Sequence, residues 1–144
     1  MNTSEKNEII QLFENHFNEK VESFELLPPS GSYRQYCRLS NQTRSVIGAL
    51  NADIKENTAF LSFTNHFFHK GVKVPEIYAV SSDLKKYLQE DLGNTTLFEY
   101  LSKTRENEGF SENIISQYKK VLKALPKIQV IAGKEVDYSV CYPR

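Results

Sequence analysis

The sequence predicts an α+β fold built on an antiparallel sheet, and three observations predict it. Apolar residues recur at helical spacing in residues 4–20, 53–70 and 111–125. Between them lie short runs with strand alternation, each closed by Pro, Gly, Ser, Asn or Asp. The order is helix, three strands, helix, two strands, then helices.

Residues 4–20 place Ile9, Ile10, Phe13 and Phe17 on one helical face, with Leu12 at its edge. Ser4 is the expected N-cap, and Glu5 and Glu8 suit the positive helix start. Residues 23–27 read as a strand that Pro28-Pro29 stops. Pro28-Pro29-Ser30-Gly31-Ser32 is a loop. In residues 33–39, Cys37 and Leu39 alternate with Tyr36 and Arg38, as in a half-buried strand. After a polar turn, Val46-Ile47-Gly48-Ala49-Leu50 is a continuous apolar run suited to an inner strand. These three strands are expected to form an antiparallel meander.

Asp53 with Glu56 three places on reads as a capping box opening the second helix. Its expected apolar face is Phe60, Phe63, Thr64 and Phe67, and Gly71 is its natural stop. Two further strands cover residues 76–80 and 85–89. A short helix starts at Thr95 or Thr96, where Thr96 and Glu99 repeat the capping-box spacing, and the charges of residues 103–108 read as a solvated loop. Ser111 opens a stronger helix with Ile114, Ile115, Tyr118, Val121, Leu122 and Leu125 on one face; Pro126 ends or kinks it.

The bulk numbers bound the function. The chain has 144 residues, 40% hydrophobic and 25% charged, which places it among globular chains rather than disordered ones. Lys plus Arg and Asp plus Glu are both 18, so the basic excess of a nucleic-acid binder is missing. No apolar run reaches membrane-spanning length, and the N-terminus has no signal-peptide core. Cys37 and Cys141 match no zinc or redox spacing, and two isolated thiols without an export signal suggest a cytoplasmic protein. His66 and His69 are three apart on a helix, a spacing that could pair on a metal, but they read as a solvated face.

Three strings carry a family resemblance. The stretch Ser30-Gly31-Ser32-Tyr33-Arg34-Gln35-Tyr36-Cys37-Arg38 resembles the loop and second strand of bacterial phosphotransferases akin to the N-acetylmuramate/N-acetylglucosamine sugar kinases, within the aminoglycoside phosphotransferase and choline kinase superfamily. Gly71-Val72-Lys73-Val74-Pro75-Glu76-Ile77 resembles that superfamily's link from helix C to the fourth strand, and Tyr87-Leu88-Gln89-Glu90-Asp91-Leu92-Gly93 its fifth strand and hinge. The likeness spans residues 20–105. It implies a kinase-like N-terminal lobe over residues 1–94, a five-stranded antiparallel sheet with helix C on one face. Residues 95–144 would be helices beginning a C-terminal lobe that is otherwise missing from the sequence.

By that resemblance the chain is the ATP-binding lobe of a phosphotransferase acting on a hydroxyl of an amino sugar, sugar or aminoglycoside-like molecule. Ser30, Gly31 and Ser32 would cover the phosphates, where small residues let backbone N–H groups approach an anion. Arg34 would add a charge-assisted phosphate contact. The backbone of Glu90, Asp91 and Leu92 would read the adenine edge, with Leu88 or Leu92 lining the apolar slot. ATP and Mg are implied as cofactors. The catalytic Asp and Asn and the metal-holding Asp are expected outside this sequence, so the chain itself should not catalyse transfer. The small-molecule substrate would sit on the missing lobe; neither nucleic acid nor membrane is an expected partner, and a dimer could form through the exposed lobe face.

Two departures stand out. Kinase-like enzymes usually place a Lys on the third strand; here there is none, and Gly48 falls at its approximate place. Glu56 lies early in its helix for the partner carboxylate. Arg34, Arg38 or Lys55 would have to substitute, or nucleotide affinity would be weak. Two other readings stay open: a binding or adaptor module with a degenerate lobe, and an unrelated α+β domain. An antiparallel five-stranded sheet with the 53–70 helix on one face favours the kinase reading; parallel strands would end it.

Overall fold

A computed structural model describes residues 1–29 and 31–141; Ser30 and residues 142–144 lie outside the described residues. The chain divides into two units, Met1–Asp91 joined by the segment from Asp137, and Leu92–Val136. The segment from Asp137 carries a 3-10 turn, Tyr138–Val140, that packs on the second helix of the first unit.

The first unit holds α1 (Thr3–Phe17), β1 (Ser23–Leu26), β2 (Gln35–Ser40), β3 (Ser45–Leu50), α2 (Ile54–His69), β4 (Ile77–Val80) and β5 (Lys86–Glu90). The strands form one sheet in the order β1-β2-β3-β5-β4, every neighbouring pair antiparallel. Cap chemistry sets the helix starts. Asn2, not Ser4, caps α1, its side chain accepting from the Glu5 N–H while Glu5 accepts from the Asn2 N–H; Ser4 donates to Glu8 instead. Asp53 caps α2 through the Glu56 N–H, but its own N–H goes to Asn51 Oδ1, so the expected capping box is only half formed; Gly71 stops the helix with φ of 73°, a conformation that costs a side chain.

Register assigns each strand residue to a face. Cys37 pairs with Gly48 and Gly48 with Leu88; Tyr36 pairs with Ala49 and Ala49 with Tyr87. Successive residues point to opposite faces, so Cys37, Gly48 and Leu88 share one face and Tyr36, Ala49 and Tyr87 the other. Helix α1 covers the first face. Ile9 and Phe13 are fully buried there with Cys37, Leu39, Val46, Leu50 and Leu88. Burial pushes the Cys37 thiol pKa up to about 12, because a thiolate has no solvation there. Helix α2 packs on the second face, where Phe60 stacks on Tyr87 with ring centroids 5.2 Å apart.

A polar knot ties the β2–β3 turn to the α1–β1 connection. Glu19 accepts from Asn41 Nδ2, Thr43 Oγ1 and Arg44 Nη2 at 2.7, 2.8 and 2.8 Å. These bonds, Asn41 first, hold the Glu19 carboxyl at about 2 against an ordinary 4.5. A depressed carboxyl stabilises the fold above its unfolded pKa, and that contribution disappears as pH falls through the folded one. Acid titration followed by circular dichroism should therefore show stability declining from about pH 4.5 toward 2. In Glu19→Gln that decline should be shallower; an unchanged acid limb would show that the knot contributes nothing.

The second unit holds α3 (Leu97–Glu108) and α4 (Glu112–Pro126), followed by a π turn (Lys127–Ile131). Thr96 and Glu99 form the reciprocal capping box the sequence predicts. Residues 103–108 are not a loop: they finish α3, which buries Leu101 and Thr104 and ends where Gly109 takes φ of 65°. Their charges belong to a helix face exposed to water. Among the described residues, no helix is long and apolar enough to cross a membrane.

Candidate functional site

The second face of the sheet collects the chemistry. Arg34, Tyr36 and Arg38 alternate onto it from the start of β2 along the strand. Arg34 is nearly buried, 9% exposed, with its guanidinium over the rings of Phe60 and Tyr87 at 5.0 and 5.8 Å. Its Nη2 lies 3.2 Å from Glu56 Oε1 and donates to Asn57 Oδ1 at 3.5 Å, while Nη1 donates to Tyr36 Oη at 3.5 Å. Burial opposes the charge, but Tyr36, Tyr87 and Glu56 more than offset it and raise the guanidinium pKa above its usual value.

Glu56 occupies the first turn of α2, and that turn is pinned to the sheet. Asn57, fully buried, donates to the carbonyls of Asn51 and Leu84 at 3.0 and 2.7 Å. Asn51 Nδ2 donates to Glu56 Oε2 at 3.1 Å. The early position of Glu56 is thus what lets it face Arg34. Sequence reasoning missed Asn57 and Tyr87; the available signal was an Asn one turn before Phe60 and Leu61, on a stripe otherwise apolar.

At the other end of the stripe Arg38 forks onto Asp91, Nε at 2.7 Å and Nη2 at 3.0 Å, and Ser45 Oγ donates to the same carboxylate at 2.5 Å. Gln35 pairs with Leu50 and Leu39 with Val46, the partner of Glu90. The loop of residues 31–34 and Asp91 therefore mark opposite ends of one polar stripe, roughly 15–20 Å apart at strand rise.

The expected site residues fall into three groups. Gly31, Ser32 and Arg34 sit at the β2 entrance: Gly31 is exposed, with open space where a Cβ would stand, and the Ser32 hydroxyl accepts the Arg34 N–H at 3.3 Å. Ser30 lies outside the described residues. Glu90 and Asp91 close β5, and the Glu90 N–H is spent on the Glu76 carbonyl at 2.8 Å. Leu92 is 69% exposed and begins the second unit. Leu88 does not join them. It is buried beneath α1 on the opposite face, since every second residue of β5 points away from Tyr87 and Gln89.

Neither a protein-family model nor a curated protein matches the chain.

Gly48 belongs to the α1 face: a Cβ there would lie 2.8 Å from Ile9 Cγ2 and 2.9 Å from both Cys37 Sγ and Leu39 Cδ1. The β3 residues on the α2 face are Ile47 and Ala49, and Ala49 is the neighbour of Gly48 that pairs with Tyr36 and Tyr87. Gly48→Ala should cost about 1–3 kcal/mol by overpacking and lower the denaturation midpoint; no loss would mean that α1 moves aside freely.

Unpartnered polar atoms cluster on the α2 face. Among the described residues, Arg34 Nε, Tyr87 Oη and Gln89 Oε1 are buried without a hydrogen-bond partner. Such atoms cost free energy unless something satisfies them. Among the same residues, no three of His, Cys, Asp or Glu come together as a metal site. Two open depressions of the first unit lie elsewhere. One, about 340 Å³, runs between α2 and β4 past Phe68, Pro75 and Ile77; the other, about 410 Å³, lies around Glu8, Asn51 and Lys85.

Proposed function

We propose that the unit formed by Met1–Asp91 is the nucleotide-binding lobe of an ATP-dependent phosphotransferase acting on a hydroxyl of a small molecule, an amino sugar, sugar or aminoglycoside-like compound. One observation carries this reading. An antiparallel β1-β2-β3-β5-β4 sheet, with α2 inserted between β3 and β4, presents a polar stripe from the loop after β1 to the end of β5. A nucleotide needs an anion-binding end and an end that offers backbone to a flat base, and the stripe supplies one of each.

In this reading the phosphates lie toward Gly31, Ser32 and Arg34, and adenine toward Asp91 and Leu92. The Glu90 N–H is already taken, so the base edge falls to the two residues after it. Ile47, on the α2 face between Arg38 and Gln89 in register, takes the apolar role read for Leu88 or Leu92. The Asp91 carboxylate, held by Arg38 and Ser45, fixes the backbone instead of touching ligand. Bound magnesium would neutralise phosphate charge, and its ligands are expected outside the described residues.

Ala49 on β3 favours a second reading, a binding module that keeps the lobe and lacks phosphate chemistry. Calorimetric titration of Mg-ATP into the full-length protein separates them. Saturable binding below millimolar nucleotide is expected; none at millimolar concentration leaves the adaptor reading standing.

A further inference from the structure

We infer that the cation which a kinase-like lobe carries on its third strand has moved in this chain to Arg34, at the entrance of β2, with Glu56 as its positioning carboxylate. The inference rests on the nucleotide-lobe reading and names the residue that holds the phosphates.

Three independent observations support it. First, the β3 position on the α2 face between Tyr36 and Tyr87 in register is Ala49, fully buried, so β3 offers no charge on this face there. Second, Arg34 supplies one from the adjacent strand. Its guanidinium sits over Tyr87, the residue paired with Ala49, and 3.2 Å from the helix carboxylate. A longer side chain starting farther away thus reaches the space a lysine at position 49 would fill. Third, the arrangement is incomplete without a ligand. Arg34 is nine-tenths buried, yet its Nε meets no acceptor among the described residues, and the fully buried Tyr87 hydroxyl beside it has the Tyr36 side chain near it but makes no well-formed hydrogen bond. A phosphate oxygen accepts from both an N–H and an O–H. The other basic candidates are placed differently: Arg38 is committed to Asp91, and Lys55 is exposed at the start of α2.

Guanidinium and ammonium are not interchangeable in geometry. Arginine presents a planar fork whose donors can serve a carboxylate and a phosphate at once. With Glu56 holding Nη2, the Nε side remains for the anion, which is the side lacking a partner.

The test compares affinities of Mg-ATP and adenosine for the full-length protein by calorimetry. In the wild type, Mg-ATP should bind at least about tenfold tighter than adenosine, the scale of one charge-assisted contact. Arg34→Met should abolish that preference while adenosine affinity stays unchanged. Glu56→Gln should reduce it, since a neutral amide holds the fork less firmly. The variant Arg34→Ala with Ala49→Lys puts the charge back on β3 and should restore most of the preference; it also conserves buried volume, which keeps the test readable if Arg34→Met fails to fold. Wild type that binds adenosine and Mg-ATP equally overturns the inference and leaves the nucleotide reading intact, as does Arg34→Met with an unaltered preference or the double variant failing to recover it. Wild type that binds neither ligand overturns both.

Discussion

Replacing Glu56 with alanine is expected to destabilise the first unit by about 3 kcal/mol, the lower end of the range for removing one partner of a buried ion pair. The lower end applies because the Glu56 side chain is 22% exposed while that of Arg34 is 9% exposed. Two effects compete. Breaking the pair loses Coulomb attraction, which water at Glu56 already weakens. It also strands the Arg34 charge among Phe60, Tyr87 and Tyr36, with Asn57 Oδ1 and Tyr36 Oη, both at 3.5 Å, as weak neutral acceptors. The stranded charge dominates, since an unpaired buried cation costs more than the pair is worth in water. The effect should be asymmetric. Arg34→Met leaves Glu56 able to reach solvent and should cost less than Glu56→Ala. Urea unfolding of both variants measures this; equal losses would mean that Arg34 rehydrates without its partner.

Phe13→Ala is expected to cost about 3–5 kcal/mol, the range for emptying an aromatic from a packed core. Phe13 is fully buried, lies against Phe17 at 4.9 Å between ring centroids, and shares its cluster with Ile9, Leu39, Val46 and Leu88. Since α1 covers the buried cluster of Cys37, Leu39, Val46, Leu50 and Leu88, the cavity opens under the helix that shields the core of the sheet from water. A midpoint lowered by less than a tenth would mean that the sheet stands without α1.

The elements themselves were legible because their signals are local. Asp53, and Thr96 with Glu99, each satisfy an N–H within three residues, and Gly71 takes the positive φ that ends α2; the α1 cap, expected at Ser4, falls to Asn2, and α3 runs through the expected loop to Gly109. The alternation of Cys37 and Leu39 with Tyr36 and Arg38 gave the faces of β2 correctly, because one side of that strand is wetter than the other. β3 offered no such contrast. Val46 through Leu50 are all buried, and an apolar run covered on both faces looks the same whichever residue points at α2. Gly48 was accordingly taken for the place of the missing lysine, and Leu88 for a slot residue. Both lie under α1.

For the candidate site the division has the same origin. Sequence alone determined that a loop of small residues precedes Arg34, that an acidic turn follows the fifth strand, and that a helix starting near Glu56 lies between them. Each is a matter of neighbours in the chain. Only the tertiary structure decided that Arg34 meets Glu56, that Arg38 meets Asp91, and that Ala49 rather than Gly48 faces α2. Those choices depend on strand register and on which helix covers which face, and both are settled by packing between residues far apart in sequence.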